Sequence, residues 1–190
     1  MQKLYIKELL DAVGGKLLCG QADGFFEDIS IDSRDIKRGQ FFFAISGQNF
    51  DGHNFVYDAL KAGACGAVVS KDIDIKGLDD YCIIKVGDVV CALGDLAHYY
   101  RNKFKRVKIA AITGTNAKTT TKEMLFSIFL VDGEAVKNKG NFNNRIGLPL
   151  SIFLLNDKTK WAVFELGTSI FGEIEILSKM LAPNAGLITN

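Results

Sequence analysis

Soft metal ligands are scarce in this chain. Its 190 residues include two histidines, His53 and His98, and four cysteines. Cys19, Cys65, Cys82 and Cys91 form no CxxC pair, so a zinc site is not expected. The cysteines read instead as small core or surface residues of a reduced, cytosolic protein. Charge of one sign is also lacking: 23 Lys and Arg against 22 Asp and Glu leave +1. That argues against the electrostatic footprint of a DNA or RNA binder. No apolar run approaches the ~20 residues of a membrane span. Lys3, Lys7, Glu8 and Asp11 interrupt the opening stretch, so it does not read as a signal peptide. Repeats and low-complexity tracts are missing. What remains is about half apolar and a quarter charged, the balance of an ordinary globular protein with one large domain or two small ones.

The first region reads as a small α/β unit. Leu4, Leu9, Leu10 and Val13 share one face of a helix that stops at Gly14-Gly15. "FFEDISIDSRDIKRGQFFFAISG" reads as two short strands joined by a polar turn. A helix ending at Gly63, the strand "GAVVS", a charged loop over 71–80 and the strand "YCIIKV" follow. The character changes near Gly87, which places a domain boundary between residues 86 and 87. Val89, Leu93, Leu96 and Tyr100 recur at helical spacing. From there strands and helices alternate: "VKIAAIT", "KTTTKEMLFSIFLV", "EAVKN", a helix within "IGLPLSIFLL", "KWAVFEL", "GEIEILSKML" and "AGLITN". Apolar strands in this alternation predict a parallel sheet with flanking helices.

"ITGTNAKTTTKE", Ile112 to Glu123, joins a strand to a helix through a polar turn. Backbone N–H groups and the positive end of the helix dipole suit an anion there. Lys118 can reach β- and γ-phosphate oxygens, and the hydroxyl of Thr119 can ligate Mg²⁺. The match to GxxxxGK[ST] fails at two places, Ile112 and Ala117. A capped helix start with a surface lysine is the competing reading. Glu165, at the end of "WAVFEL", tips the balance. Ligand sites gather at the carboxyl ends of parallel strands, and a carboxylate there can hold Mg²⁺ directly or through water.

Three stretches, "TGTNAKTTTKEM", "GNFNNRIGLPLS" and "FELGTSIFGEIEIL", in this order and spacing, resemble the Mur ligase family. The resemblance is to the branch that adds D-alanyl-D-alanine to UDP-N-acetylmuramoyl-tripeptide in peptidoglycan precursor synthesis. "DSRDIKRGQFFFAISGQNFDGHNFVYDALKAGACGAVV" resembles that family's uridine-nucleotide domain. The resemblance implies a cytoplasmic, ATP- and Mg²⁺-dependent carboxylate–amine ligase working through an acyl phosphate, with UDP-N-acetylmuramoyl-tripeptide and D-alanyl-D-alanine as partners. It implies an N-terminal uridine-nucleotide α/β domain, residues 1–86, and part of a phosphate-loop ATPase domain, residues 87–190. It gives Gly114, Thr115, Asn116, Ala117, Lys118, Thr119 and Thr120 to the ATP phosphates, with Asn141 from the asparagine-rich loop that also holds Asn143 and Asn144. It gives Lys118 and Glu165 catalytic roles, with Thr119 and Glu165 on Mg²⁺. Ile31, Ser33, Arg34, Gly47, Gln48, Asn49 and Phe50 would hold the uridine nucleotide. Arg34 could equally be a surface salt-bridge residue.

Departures from the pattern shape the expectations. Ala117 stands where a glycine is usual, and a positive φ there would cost roughly 1 kcal/mol. Ile170 stands where a histidine is common, so no histidine role carries over. Full-length ligases of the family continue further, so the chain reads as an N-terminal fragment without the D-alanyl-D-alanine side, not expected to turn over alone. Uncovered strand edges would then favour self-association. Two alternatives stand beside this reading. One is a non-catalytic UDP-sugar-binding module. The other is a folylpolyglutamate-type ligase, disfavoured because such enzymes lack the uridine domain.

Overall fold

Apolar runs punctuated by glycine become a five-stranded sheet, a four-stranded sheet and a two-stranded pair in the computed structural model, which describes residues 1–190. The chain divides into two compact units, Met1–Leu93 and Gly94–Asn190.

In the first unit, β1 (Leu4–Tyr5) pairs antiparallel with β3 (Phe25–Phe26). Helix α1 (Ile6–Val13) lies between them in sequence and ends at Gly14, whose φ of 57° makes the left-handed stop that glycine adopts without strain. The main sheet has five strands in the order β2 (Lys16–Cys19), β7 (Cys82–Lys85), β6 (Gly66–Val69), β5 (Phe41–Phe43), β4 (Ile29–Ser30). β2 runs antiparallel to β7, and the remaining pairs are parallel. The polar turn between β4 and β5 therefore does not close a hairpin; it carries a 3₁₀ turn, Ser33–Asp35, and crosses over between parallel neighbours. The Gln40 side chain pins this crossover: its Oε1 accepts from Lys37 N at 2.7 Å and its Nε2 donates to Asp28 at 2.9 Å. Phe41, Phe42 and Phe43 are all buried, as a parallel strand covered on both faces requires. Helix α2 (Val56–Ala62) packs Val56, Ala59 and Leu60 into the same core as Phe42, Ala67 and Ile83.

Helix α3 (Val89–Lys103) runs into the second unit's residues. There the sheet is fully parallel, with β8 (Lys108–Gly114), β10 (Thr159–Glu165), β9 (Glu134–Lys137) and β11 (Ala185–Thr189) in the order β11-β8-β10-β9. The connections are α4 (Lys118–Asp132), α5 (Gly147–Ile152) and α6 (Glu173–Leu181). Arg101 near the end of α3 is buried and donates to the carbonyls of Phe104, Leu181 and Ala182, so one guanidinium caps the carboxyl ends of two helices. Helix α4 is unusual in that its buried residue is Lys122, while Met124, Ile128, Leu130 and Val131 are exposed. No helix is long and apolar enough to cross a membrane.

Candidate functional site

Strand order builds the site. β8 and β10 are immediate neighbours with Glu165 opposite Ile112, so the glycine turn after β8 and the carboxylate ending β10 emerge side by side at the carboxyl edge of the sheet. Gly114 has φ 136°, and a Cβ there would come within 2.0 Å of the Thr189 carbonyl oxygen; only glycine fits. The turn is braced against β11: Asn116 N donates to Asn190 O, and the Thr189 hydroxyl donates to Thr113 O and Asn116 O. Ala117 then enters α4 with φ 60° and ψ 6°, a left-handed conformation in which an L side chain is strained.

Lys118 folds over the turn, its ammonium donating to Gly114 O at 2.7 Å and Thr115 O at 3.2 Å. Thr115, Asn116 and Thr120 are exposed around it. One residue on, the Thr119 hydroxyl donates to Glu165 Oε2 at 2.8 Å. The other carboxylate oxygen, Oε1, accepts from the Asn143 side-chain amide at 3.0 Å. Glu165 is buried, so these two donors are the polar partners of a carboxylate removed from water. Of the asparagine loop, Asn143 reaches Glu165. Asn144 instead caps the start of α5 by accepting from Ile146 N and Gly147 N. Asn141 is exposed, and its carbonyl accepts from Asn143 N.

Two residues that sequence reasoning did not single out complete the cluster. Asn138, fully buried just past β9, accepts from Glu165 N and donates to Glu165 O and Phe142 O. Lys122, 1% exposed, donates to Asn138 O at 3.2 Å. An asparagine after a strand reads as a turn former, and a lysine in a helix reads as surface. No local signal marks either as buried.

The first unit has its own pocket. Ile31, Asp32, Ser33 and Arg34 face Phe42, Phe50, Gly52 and Phe55 around a cavity of ≈ 460 Å³. Arg34 is exposed and forks onto Asp32 through Nε at 2.9 Å and Nη2 at 2.6 Å. That pairing holds the Asp32 carboxyl down at about 2. Ser46 and Asp51 bridge to close the turn Gly47-Gln48-Asn49-Phe50, which is exposed and places the Phe50 ring against Gly47. Of that turn, Phe50 lines the pocket; Gly47, Gln48 and Asn49 do not. Behind the turn, buried His53 accepts from Ser70 N through Nε2 at 2.9 Å, so Nδ1 carries the proton and donates to Asp51 at 2.6 Å. Lys71 also bonds Asp51 at 2.5 Å, and these two partners hold its carboxyl well below the usual carboxylate range.

Two domain profiles of one family match the chain, and the second covers the glycine turn, Lys118 and Glu165. Residues 26–101 match "Mur ligase family, catalytic domain", and residues 112–190 match "Mur ligase middle domain". The chain belongs to the Mur ligase family. Within it, the chain is 34% identical over its whole length to the UDP-N-acetylmuramoyl-tripeptide--D-alanyl-D-alanine ligase of Bacillus subtilis and 37% identical to that of Haemophilus influenzae, covering 41% of each. A crystal structure of MurF from Acinetobacter baumannii superposes with a TM-score of 0.91 at 34% identity, over 98% of this chain and 41% of that one. MurF from Thermotoga maritima, in complex with ADP, gives 0.75 at 31% identity, over 82% and 35%. The chain thus spans about two-fifths of the length of the curated relatives it matches.

Proposed function

We propose that the chain carries the substrate-nucleotide and phosphate-binding parts of a cytoplasmic ATP-dependent ligase of peptidoglycan precursor synthesis. That ligase joins D-alanyl-D-alanine to UDP-N-acetylmuramoyl-tripeptide. The observation that carries this reading is the convergence at one sheet edge of the Gly114–Lys118 turn with Thr119, Glu165 and Asn143.

The residues present fit a nucleotide with a hard cation. Gly114 lets the turn close tightly against Thr189, and Lys118 offers an ammonium that bonds only carbonyls of its own turn. Thr119 and Glu165 place a hydroxyl and a carboxylate oxygen within 2.8 Å of each other, the oxygen donors that Mg²⁺ prefers. Bound there, Mg·ATP would supply the phosphoryl group that activates a carboxylate for attack by an amine. Lys118 would neutralise charge on the phosphates, the turn and the start of α4 would orient them, and Thr119 and Glu165 would face the cation.

In the first unit, we assign residues 1–86 to the uridine nucleotide, with Ile31, Ser33 and Arg34 and the Gly47–Phe50 turn around it. The pocket's aromatic lining suits a base, and Arg34 can exchange Asp32 for a phosphate.

The test is binding of Mg·ADP by calorimetry, comparing the unaltered chain with Lys118→Ala. Binding that falls at least tenfold in the variant supports the reading, since a charge-assisted contact is worth about 1.5–3 kcal/mol. Equal binding by both contradicts it. Binding of the UDP-linked tripeptide without any nucleotide binding would favour a UDP-sugar-binding module, the outcome that the strained Ala117 makes worth separating.

A further inference from the structure

The β8–β10–β9 sheet holds Glu165 from its backbone as well as from its carboxylate. The ladder between β9 and β10 ends at Lys137 opposite Val163. One step further, the side chain of Asn138 takes over the pattern of a peptide group. Its oxygen accepts from Glu165 N at 3.0 Å, and its amide donates to Glu165 O at 3.0 Å. The same amide donates to Phe142 O at 2.9 Å, inside the loop that ends at Asn143. Gly167 N closes the circle by donating to Asn143 O at 2.8 Å.

Lys122 enters from the third element. It lies one helical turn after Thr119 on α4, and its buried ammonium donates to Asn138 O at 3.2 Å, with Glu123 at 3.6 Å. Three elements meet at the carboxylate: α4 sends Thr119, the loop sends Asn143, and β10 bears Glu165 itself. Asn138 touches or receives a bond from all three. A buried amide with this many partners is costly to misplace, because each lost bond leaves a desolvated group behind.

We infer that Asn138, held by the buried ammonium of Lys122, is the positioning residue that sets the Glu165 carboxylate for a divalent cation. It touches neither nucleotide nor cation and acts through Glu165. The inference rests on the nucleotide reading above for its ligand, and on the hydrogen bonds of this chain for its geometry.

The experiment measures ADP affinity of the unaltered chain, Asn138→Ala, Asn138→Asp and Lys122→Met, once with Mg²⁺ and once with EDTA. Asn138→Asp keeps volume and the acceptor for Glu165 N but faces the carbonyls of Glu165 and Phe142 with oxygen, so it serves where the alanine variant does not fold. The expected result is ADP affinity in EDTA unchanged within twofold, and the enhancement by Mg²⁺ reduced about tenfold, the scale of supporting contacts around a metal site. A general loss of structure would lower both affinities alike. Mg²⁺ enhancement fully retained in both Asn138 variants overturns the inference. If the unaltered chain binds no ADP at all, the nucleotide reading fails, and amide hydrogen exchange then decides the positioning role. Faster exchange at Glu165 N in Asn138→Asp, with Phe164 and Leu166 unchanged, upholds it; unchanged exchange at Glu165 N overturns it.

Discussion

Ala117 is the residue at which sequence and geometry meet most directly. The substitution of alanine for the usual glycine matters only if the backbone is left-handed there, and φ is 60°. Relief of that strain should stabilise the fold. Ala117→Gly is expected to gain about 0.5–1 kcal/mol in urea unfolding, glycine's greater unfolded-state freedom offsetting part of the relief. A loss of stability would show that the turn does not need a positive φ. Asp51 gives a second test. Asp51→Ala removes the acceptor of buried His53 Nδ1–H and should cost roughly 1–3 kcal/mol at neutral pH. The folded-state value of Asp51 is depressed, so its contribution is full above its unfolded value of about 3.9 and is lost as pH falls through the folded value. The stability gap between the unaltered chain and Asp51→Ala, followed by thermal unfolding, should therefore narrow below about pH 4. A gap that widened there would contradict the assignment.

Among elements, α3 and α6 depend on a single side chain at their ends. Arg101→Ala leaves the carbonyls of Leu181 and Ala182 without the guanidinium, and burial already works against that charge, lowering its pKa. The expected loss is roughly 1.5–3 kcal/mol in chemical denaturation, and an unchanged midpoint would contradict the capping role. Most elements were legible because their signals are local: apolar runs of strand length and glycine stops such as Gly14 and Gly63. The short strand β2 escaped, since Lys16–Cys19 has neither alternation nor flanking turn signals beyond Gly14-Gly15. The site was half legible. Lys118, Thr119 and Glu165 could be named from motif and strand ends. That β10 lies directly beside β8 could not, because strand order is set by packing between distant segments. Asn138 and Lys122 were invisible for the same reason. Ile128 and Val131 show the converse: the α4 sequence is apolar on more than one side, so no pattern says which side is covered.

At the scale of the whole molecule, apolar surface at α4 and β11 stands open. Val131 is 89% exposed and Ile188 81%, and β11 is an edge strand with one unpaired side. Such surface favours association. Light scattering at tens of micromolar should report a dimer or larger species, and Ile188→Lys should shift it toward monomer; a clean monomer for the unaltered chain would contradict this. The central claim, that residues 1–86 recognise a uridine nucleotide joined to a peptide and residues 87–190 bind nucleotide phosphates, is tested most directly by calorimetric titration with UDP-N-acetylmuramoyl-tripeptide. The account predicts saturable binding that weakens in Ser33→Ala and Arg34→Ala while Mg·ADP binding stays unchanged. No binding of the UDP-linked tripeptide by the folded chain would contradict it.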